Sequence, residues 1–389
     1  MVSMKSTHTM GYRRFASVAV GMLFLSVGIG CQSVNDDWEN LEDAAHSVRL
    51  ELGTSAISVA VFDSASILEQ VTLGTQSVES DEPVDDRSPW HLGSCTKAMT
   101  ATMIGRLVDR GVLSFSTSIG DVFSEEIHPG FSEVTLGELL RHRGGTTGAI
   151  YQSHPKVWEA MWQDAGGDAR EVRRNAVLSL LATFPARSVG TYTYSNAGFM
   201  VAAALAEEIT ETNWQELMRS ELFIPLGMIS AGFGAPAGDA PWPHRWSISR
   251  HEAVDPSELG ADNPPSLGPA GTVHASLADW IRFLQLFIGG GPPGFLSMEV
   301  LDDLLRPSKQ AIGENVSTAA GWFVVERNWA GGRALTHAGS NTMNYALVWL
   351  APARERGIVI ATNGARPSTE RVFDRLAGWI ISRYIASDR

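Results

Sequence analysis

The stretch PWHLGSCTKAMTATMIGRLVDRG, residues 89–111, changes character in its middle. Up to Gly93 it reads as a loop. After Ser94, apolar residues recur at Met99, Met103 and Leu107, the spacing of one helix face. Ser94 therefore falls at a helix N-terminus and Lys97 one turn further in. Residues three apart share a helix face, so the ammonium lies beside the hydroxyl. A buried lysine loses proton affinity by desolvation and can then take the serine proton. The helix N-terminus also favours negative charge developing nearby. The competing reading is a capping serine with a lysine in solvent. A second S-x-x-K, Ser153 to Lys156 in SHPK, is set aside: Pro155 disfavours helix at His154, and no apolar run follows.

The same stretch divides the chain. Before it, Trp38, Leu41, Ala45, Val48 and Leu52 predict a helix over 37–52, and the β-branched runs 54–62 and 67–74 predict a hairpin. After it, helical patterns dominate to about residue 285, at 97–110, 134–141, 171–183, 197–210, 212–222 and 276–288. Pro- and Gly-rich stretches at 234–243 and 262–271 separate them. Strands return at 321–328, 344–352 and 357–363, and a last helix is expected over 368–385. Neither strand group makes a good sheet alone. Together they predict an α/β (α+β) protein with one antiparallel or mixed sheet of about five strands, flanked by the terminal helices. Residues 32–95 plus 276–389 are expected to form this α/β lobe, with 96–275 an inserted, mostly helical lobe. A site is expected in the cleft between them.

Composition narrows the function. The chain has 389 residues, 44% hydrophobic and 19% charged, with a formal net charge of −13. An acidic chain repels phosphate backbones, so nucleic acid is not an expected partner. The ten histidines are scattered, with no HExxH, no CxxC and no His/Cys cluster, so neither a metal nor a cofactor is expected. Residues 1–31 carry Lys5, Arg13 and Arg14, no acid, and the apolar run FASVAVGMLFLSVGIG ending at Cys31. The run is short for a membrane span, which needs about 20 apolar residues. It reads as an export signal. Cys31 after Gly30 resembles a bacterial lipoprotein cleavage site, although Gly28 stands where an aliphatic residue is usual; cleavage after small-x-small is the alternative. The expectation is an exported protein, periplasmic or a membrane-anchored lipoprotein, touching membrane only through lipid on Cys31. Cys95 is the other cysteine, so with Cys31 lipidated or lost no disulfide forms.

Two further motifs bear chemistry. Tyr194-Ser195-Asn196 precedes a strongly apolar helix and is the only Y-x-N in the chain. A loop tyrosine near a lysine can carry a proton, and an asparagine amide can orient an acyl group. The bland alternative is that Ser195 or Asn196 caps the helix. The H-x-G pattern of His337-Ala338-Gly339 also occurs at His91 and His142; of these, only the copy at His337 is expected to belong with a strand, where glycine lets a substrate approach the backbone. A structural histidine is the competing reading.

S-x-x-K at a helix start, Y-x-N before a later helix and H-x-G on a strand, in that order, resemble the serine β-lactamase and penicillin-recognising enzyme superfamily, in the branch of class C β-lactamases, D-aminopeptidases and β-lactamase-like esterases. HLGSCTK, LGELLRHRGG (136–145), LFIPLGM (222–228) and WLAP (349–352) resemble it too, over roughly residues 40–389. The resemblance implies the β-lactamase/transpeptidase-like fold and a covalent serine mechanism. Ser94 is then the nucleophile, Lys97 its base, Tyr194 the proton shuttle and Asn196 the acyl-positioning amide. His337 and Gly339 line the substrate site, and the backbone N–H groups of Ser94 and Ser340 form the oxyanion hole.

The chain departs from that pattern where the relatives mostly carry Lys-Thr-Gly. His337 and Ala338 replace a permanent charge and a hydroxyl that hold a substrate carboxylate. The expectation is an exported serine hydrolase acting on small esters or amides. A true class C-like β-lactamase or DD-peptidase, and a non-catalytic binder of penicillin or cell-wall fragments, are the alternatives. An α/β-hydrolase is disfavoured because no G-x-S-x-G occurs.

Overall fold

The computed structural model describes residues 37–123 and 126–386. Asn40 caps the first helix, α1 (Leu41–Leu52), by accepting from the Asp43 N–H, and Gly53 ends it at φ +65°. The expected apolar stripe is present: Leu41, Ala45, Val48 and Leu52 are buried. The chain then forms the hairpin β1 (Ala56–Asp63) and β2 (Ile67–Gly74).

The helical block follows. Its central members are α2 (Thr96–Asp109) and α3 (Asn196–Thr210), each buried on nearly every side. A helix buried all round must satisfy its polar groups internally. In α2, Thr102 donates to the Ala98 carbonyl and Thr100 to that of Pro269. In α3, buried Glu207 pairs with buried Arg173 and accepts from the Trp214 N–H at 2.7 Å.

The remaining strands are β3 (Val316–Ala319), β4 (Trp322–Arg327), β5 (Gly332–Ser340), β6 (Tyr345–Ala351) and β7 (Arg356–Thr362), followed by the last helix, α4 (Thr369–Tyr384). The main sheet is antiparallel and seven-stranded, in the order β2-β1-β7-β6-β5-β4-β3. The two strand groups join where β1 pairs with β7, Ile57 opposite Thr362. Five strands were expected. The two extra ones are β5, whose GRALTHAGS is poor in β-formers, and the four-residue edge strand β3.

Alternation along the strands makes three layers. Ile57, Val59, Val61, Leu347, Trp349, Ile358 and Ile360 face α1 and α4. Ala60, Phe62, Val348, Leu350, Val359 and Ala361 face the helical block. Two small sheets that the sequence pattern does not announce lie outside the main sheet. Val273–Ala275 pairs with both Trp90–His91 and Gly232–Phe233, and His244–Ser247 pairs with Arg250–Ala253. Strands of two to four residues are too short to show alternation.

Candidate active site

Ser94 is placed by a strand, a turn and a helix in succession. Trp90–His91 is held by Val273–Ala275, the Leu92 N–H donates to the Val273 carbonyl at 2.9 Å, and one tight turn, Gly93–Cys95, leads into α2. Gly93 sits at φ +50°, and a Cβ there would lie 2.4 Å from the Ser340 nitrogen. Only glycine permits both the left-handed backbone and this approach. Between Trp90 and Gly105 every residue is buried except Ser94. The turn thus lifts one hydroxyl toward solvent from a buried frame.

Lys97, the second residue of α2, is fully buried. Its Nζ donates to Ser94 Oγ at 3.0 Å and to the Ala270 carbonyl at 2.6 Å. The same nitrogen lies over the rings of Tyr194, 4.9 Å from the centroid, and Phe199, 5.6 Å. Neither hydrogen-bond partner is a carboxylate, so desolvation dominates and pushes the amine down to about 7. Tyr194 faces the Ser94 side chain. Burial holds its phenol well above the usual range, and the Ser94 contact only partly opposes this.

The Y-x-N segment divides its labour. Ser195 caps α3: its Oγ accepts from the Gly198 N–H at 3.0 Å, and it donates to the Thr147 carbonyl at 2.6 Å. Asn196 is the first residue of α3, and its Oδ1 is buried without a hydrogen-bond partner among the described residues.

The third motif arrives on β5. Gly339 crosses the nucleophile turn so closely that a Cβ would lie 2.0 Å from the Leu92 oxygen and 2.7 Å from the Ser94 nitrogen. The Ser94 and Ser340 amides are thereby brought to the same place. The Ser340 hydroxyl is used in its own turn, donating to the Asn344 carbonyl and accepting from the Thr342 N–H. Buried His337 donates from Nδ1 to the Ala338 carbonyl at 2.7 Å, which leaves Nε2 bare and unpartnered. Burial, with the charge of Lys97, pushes its pKa down to about 3, so it is neutral. Cys95, buried between the turn and β5, has Sγ 3.6 Å from the His337 carbonyl.

Ser94, Lys97, Tyr194 and His337 are therefore neighbours, with Gly339 and Ser340 against the turn. Ser153 and Lys156 are both exposed and apart from them, the Ser153 hydroxyl being bonded to Thr147 and Ala149. One reason given for setting them aside needs correction, because a helix does follow, Pro155–Gln163, with Pro155 at its first position. Two further residues were undervalued. His142 stacks on Tyr194, centroids 4.4 Å apart, and its Nδ1 accepts from the Ser195 N–H. His91 lies on a short strand and accepts from the Gly93 N–H. The H-x-G copies at His91, His142 and His337 converge on the site, although only the last reads as strand-borne in the sequence; a further copy, His128-Pro129-Gly130, lies apart from it, with His128 closing its own turn on the Gly130 N–H and packing on Phe184. Among the described residues no group of His, Cys, Asp and Glu is arranged to hold a metal ion. The arrangement supplies a hydroxyl, a desolvated amine to take its proton, a phenol to pass that proton on, and two backbone amides for developing negative charge.

Residues 40–382 match the model of the family described as Beta-lactamase. Penicillin-binding protein 4 of Amycolatopsis lactamdurans is 24% identical over 358 residues, 84% of this chain and 84% of that protein. Esterase/beta-lactamase LipL of Mycobacterium tuberculosis is 28% identical over 151 residues, 38% of this chain and 32% of that protein. The beta-lactamase/D-alanine carboxypeptidase from Pseudomonas syringae superposes with a TM-score of 0.69 at 20% identity, covering 88% of this chain and 98% of that one.

Proposed function

The chain belongs to the beta-lactamase family, whose members are serine hydrolases, and from that premise we propose that it forms an acyl-enzyme on Ser94 and prefers small esters or amides to β-lactams. The carrying observation is the buried, desolvated Lys97 amine 3.0 Å from Ser94 Oγ. Lys97 takes the Ser94 proton as Oγ attacks the acyl carbon. Tyr194 returns that proton to the leaving group, and water, activated through the same pair, then releases the acid. Asn196 orients the acyl chain, and the Ser94 and Ser340 amides stabilise the tetrahedral oxyanion, such donors being worth about 3–4 kcal/mol each.

Substrate preference rests on the third motif. A neutral His337 and the methyl of Ala338 offer a carboxylate neither charge nor hydroxyl. A lost charge-assisted hydrogen bond costs roughly 1.5–3 kcal/mol, about 10- to 150-fold in kcat/KM, and an ester without a carboxylate does not incur it. LipL is named as an esterase as well as a beta-lactamase, which fits this reading. A true β-lactamase or DD-peptidase is the second reading; the Amycolatopsis relative is named a penicillin-binding protein. The complete Ser94, Lys97 and Tyr194 set weighs against a non-catalytic binder. On the unmodified enzyme, kcat/KM for a short-chain aryl ester should exceed that for a cephalosporin by at least about tenfold. Equal or faster cephalosporin hydrolysis overturns the preference.

We further propose that the protein is exported and lipidated at Cys31, which lies outside the described residues. Among the described residues no helix is long and apolar enough to cross a membrane. Cys31→Ser should then move the protein from the membrane fraction to the soluble fraction. Membrane association that survives this change contradicts lipidation at Cys31.

A further inference from the structure

One buried polar cluster beside Ser94 takes no part in the chemistry above. His91, with a fully buried side chain, accepts at Nδ1 from the Gly93 N–H (3.2 Å) and donates from Nε2 to Asp262 Oδ2 (2.8 Å). Because Nδ1 faces a donor and Nε2 a carboxylate, these contacts assign one tautomer, neutral with the hydrogen on Nε2. The other Asp262 oxygen, Oδ1, accepts from buried Asn341 Nδ2 at 3.0 Å. Asn341 Oδ1 accepts in turn from the Met343 N–H (3.2 Å) and the Asn344 N–H (2.9 Å), closing the turn after β5.

One carboxylate therefore holds two backbone segments that approach from different parts of the chain. Through His91 it fixes the Gly93 peptide, immediately before the Ser94 amide. Through Asn341 it fixes the end of β5, immediately after the Ser340 amide. These segments touch where a Cβ on Gly93 would meet the Ser340 nitrogen. We propose that His91, Asp262 and Asn341 are positioning residues that set the separation and aim of the two backbone donors of the oxyanion hole. This rests on the reading of Ser94 as nucleophile. A transition-state oxyanion is sensitive to displaced donors, whereas ground-state binding depends on the rest of the site. Loss of the relay should therefore lower kcat and leave KM nearly unchanged.

The isosteric change Asp262→Asn must present an amide N–H to one of two donors, so it breaks one arm. The double change Asp262→Asn with Asn341→Asp restores a donor–acceptor pair between the two positions and keeps an acceptor for His91 and for the turn amides. With an aryl ester, Asp262→Asn should lose roughly 10- to 100-fold in kcat with KM within about threefold, and the double change should recover most of it. Melting temperatures measured alongside separate this from unfolding. A fully active Asp262→Asn enzyme, or a folded double variant that recovers nothing, overturns the proposal. Should the variants fail to fold, ¹⁵N NMR of the unmodified protein at neutral pH decides, with the His91 resonances identified through the spectrum of His91→Asn or by sequential assignment. His91 with hydrogen on Nε2 and a bare Nδ1 supports the relay; the opposite tautomer, or an imidazolium, overturns it. That readout is independent of turnover. If no ester is hydrolysed while the tautomer is as stated, the fault lies with the reading of Ser94 and not with the relay geometry.

Discussion

Lys97 is a charged residue type placed where charge is expensive. Desolvation lowers its pKa to about 7, so near neutral pH a large share of it is the free amine that the proposed mechanism needs. Activity should therefore rise with pH through about 7 and level off above it. The stability sign is the same. An amine depressed in the folded state favours folding most above its unfolded pKa of about 10, and that contribution is lost as pH falls toward about 7. Lys97→Arg should remove the acidic limb and at least about 100-fold of the rate, because a guanidinium gives up no proton here. A pH–rate profile of that variant with near-normal activity would show Lys97 to be a structural cation. The Ser94, Lys97 and Tyr194 positions were legible because each needs only a short spacing and a helix start. His91 and His142 were not, since their importance lies in contacts with Gly93 and Tyr194 that no local pattern announces.

Strand β5 was legible only at its end, where His337-Ala338-Gly339 was expected on a strand, and it is the element the site most requires. Strong helices such as α2 and α3 declare themselves by apolar periodicity. β5 instead carries Gly332, Ala334, Ala338 and Gly339, and it is a strand because β4 and β6 pair with it on both sides. Small residues suit a strand that must lie against a backbone turn. Gly339→Ala would drive a methyl into the Leu92 oxygen and the Ser94 nitrogen, neither of which is a flexible side-chain tip. The change should cost about 1–3 kcal/mol in stability, as overpacking does, and should depress kcat further by moving β5 off the nucleophile turn. Gly378→Ala on α4 is the matched control. Nothing lies within 4 Å of its added methyl, so it should stabilise by roughly 0.5–1 kcal/mol and leave the rate unchanged. Denaturant melts and ester kinetics on both variants check the contrast; a Gly339→Ala enzyme with normal stability and rate would contradict the close approach.

At the scale of the molecule, both chain ends build the sheet and the middle of the chain covers one face of it. This was legible because the hairpin 54–74 and the late strands are each insufficient alone, whereas joined through β1 and β7 they bury both faces. The two small sheets were not legible, and one of them, through Val273–Ala275, holds the segment that carries Ser94. In the proposed mechanism this architecture presents Ser94 as a covalent nucleophile. That role is tested most directly by brief exposure to an activated aryl ester or a fluorophosphonate, acid quench, intact-mass measurement and peptide mapping. One added group per chain is expected, on the peptide carrying Ser94, absent from Ser94→Ala and unchanged in Ser153→Ala. An adduct on another residue, or ester turnover that survives Ser94→Ala, would contradict it.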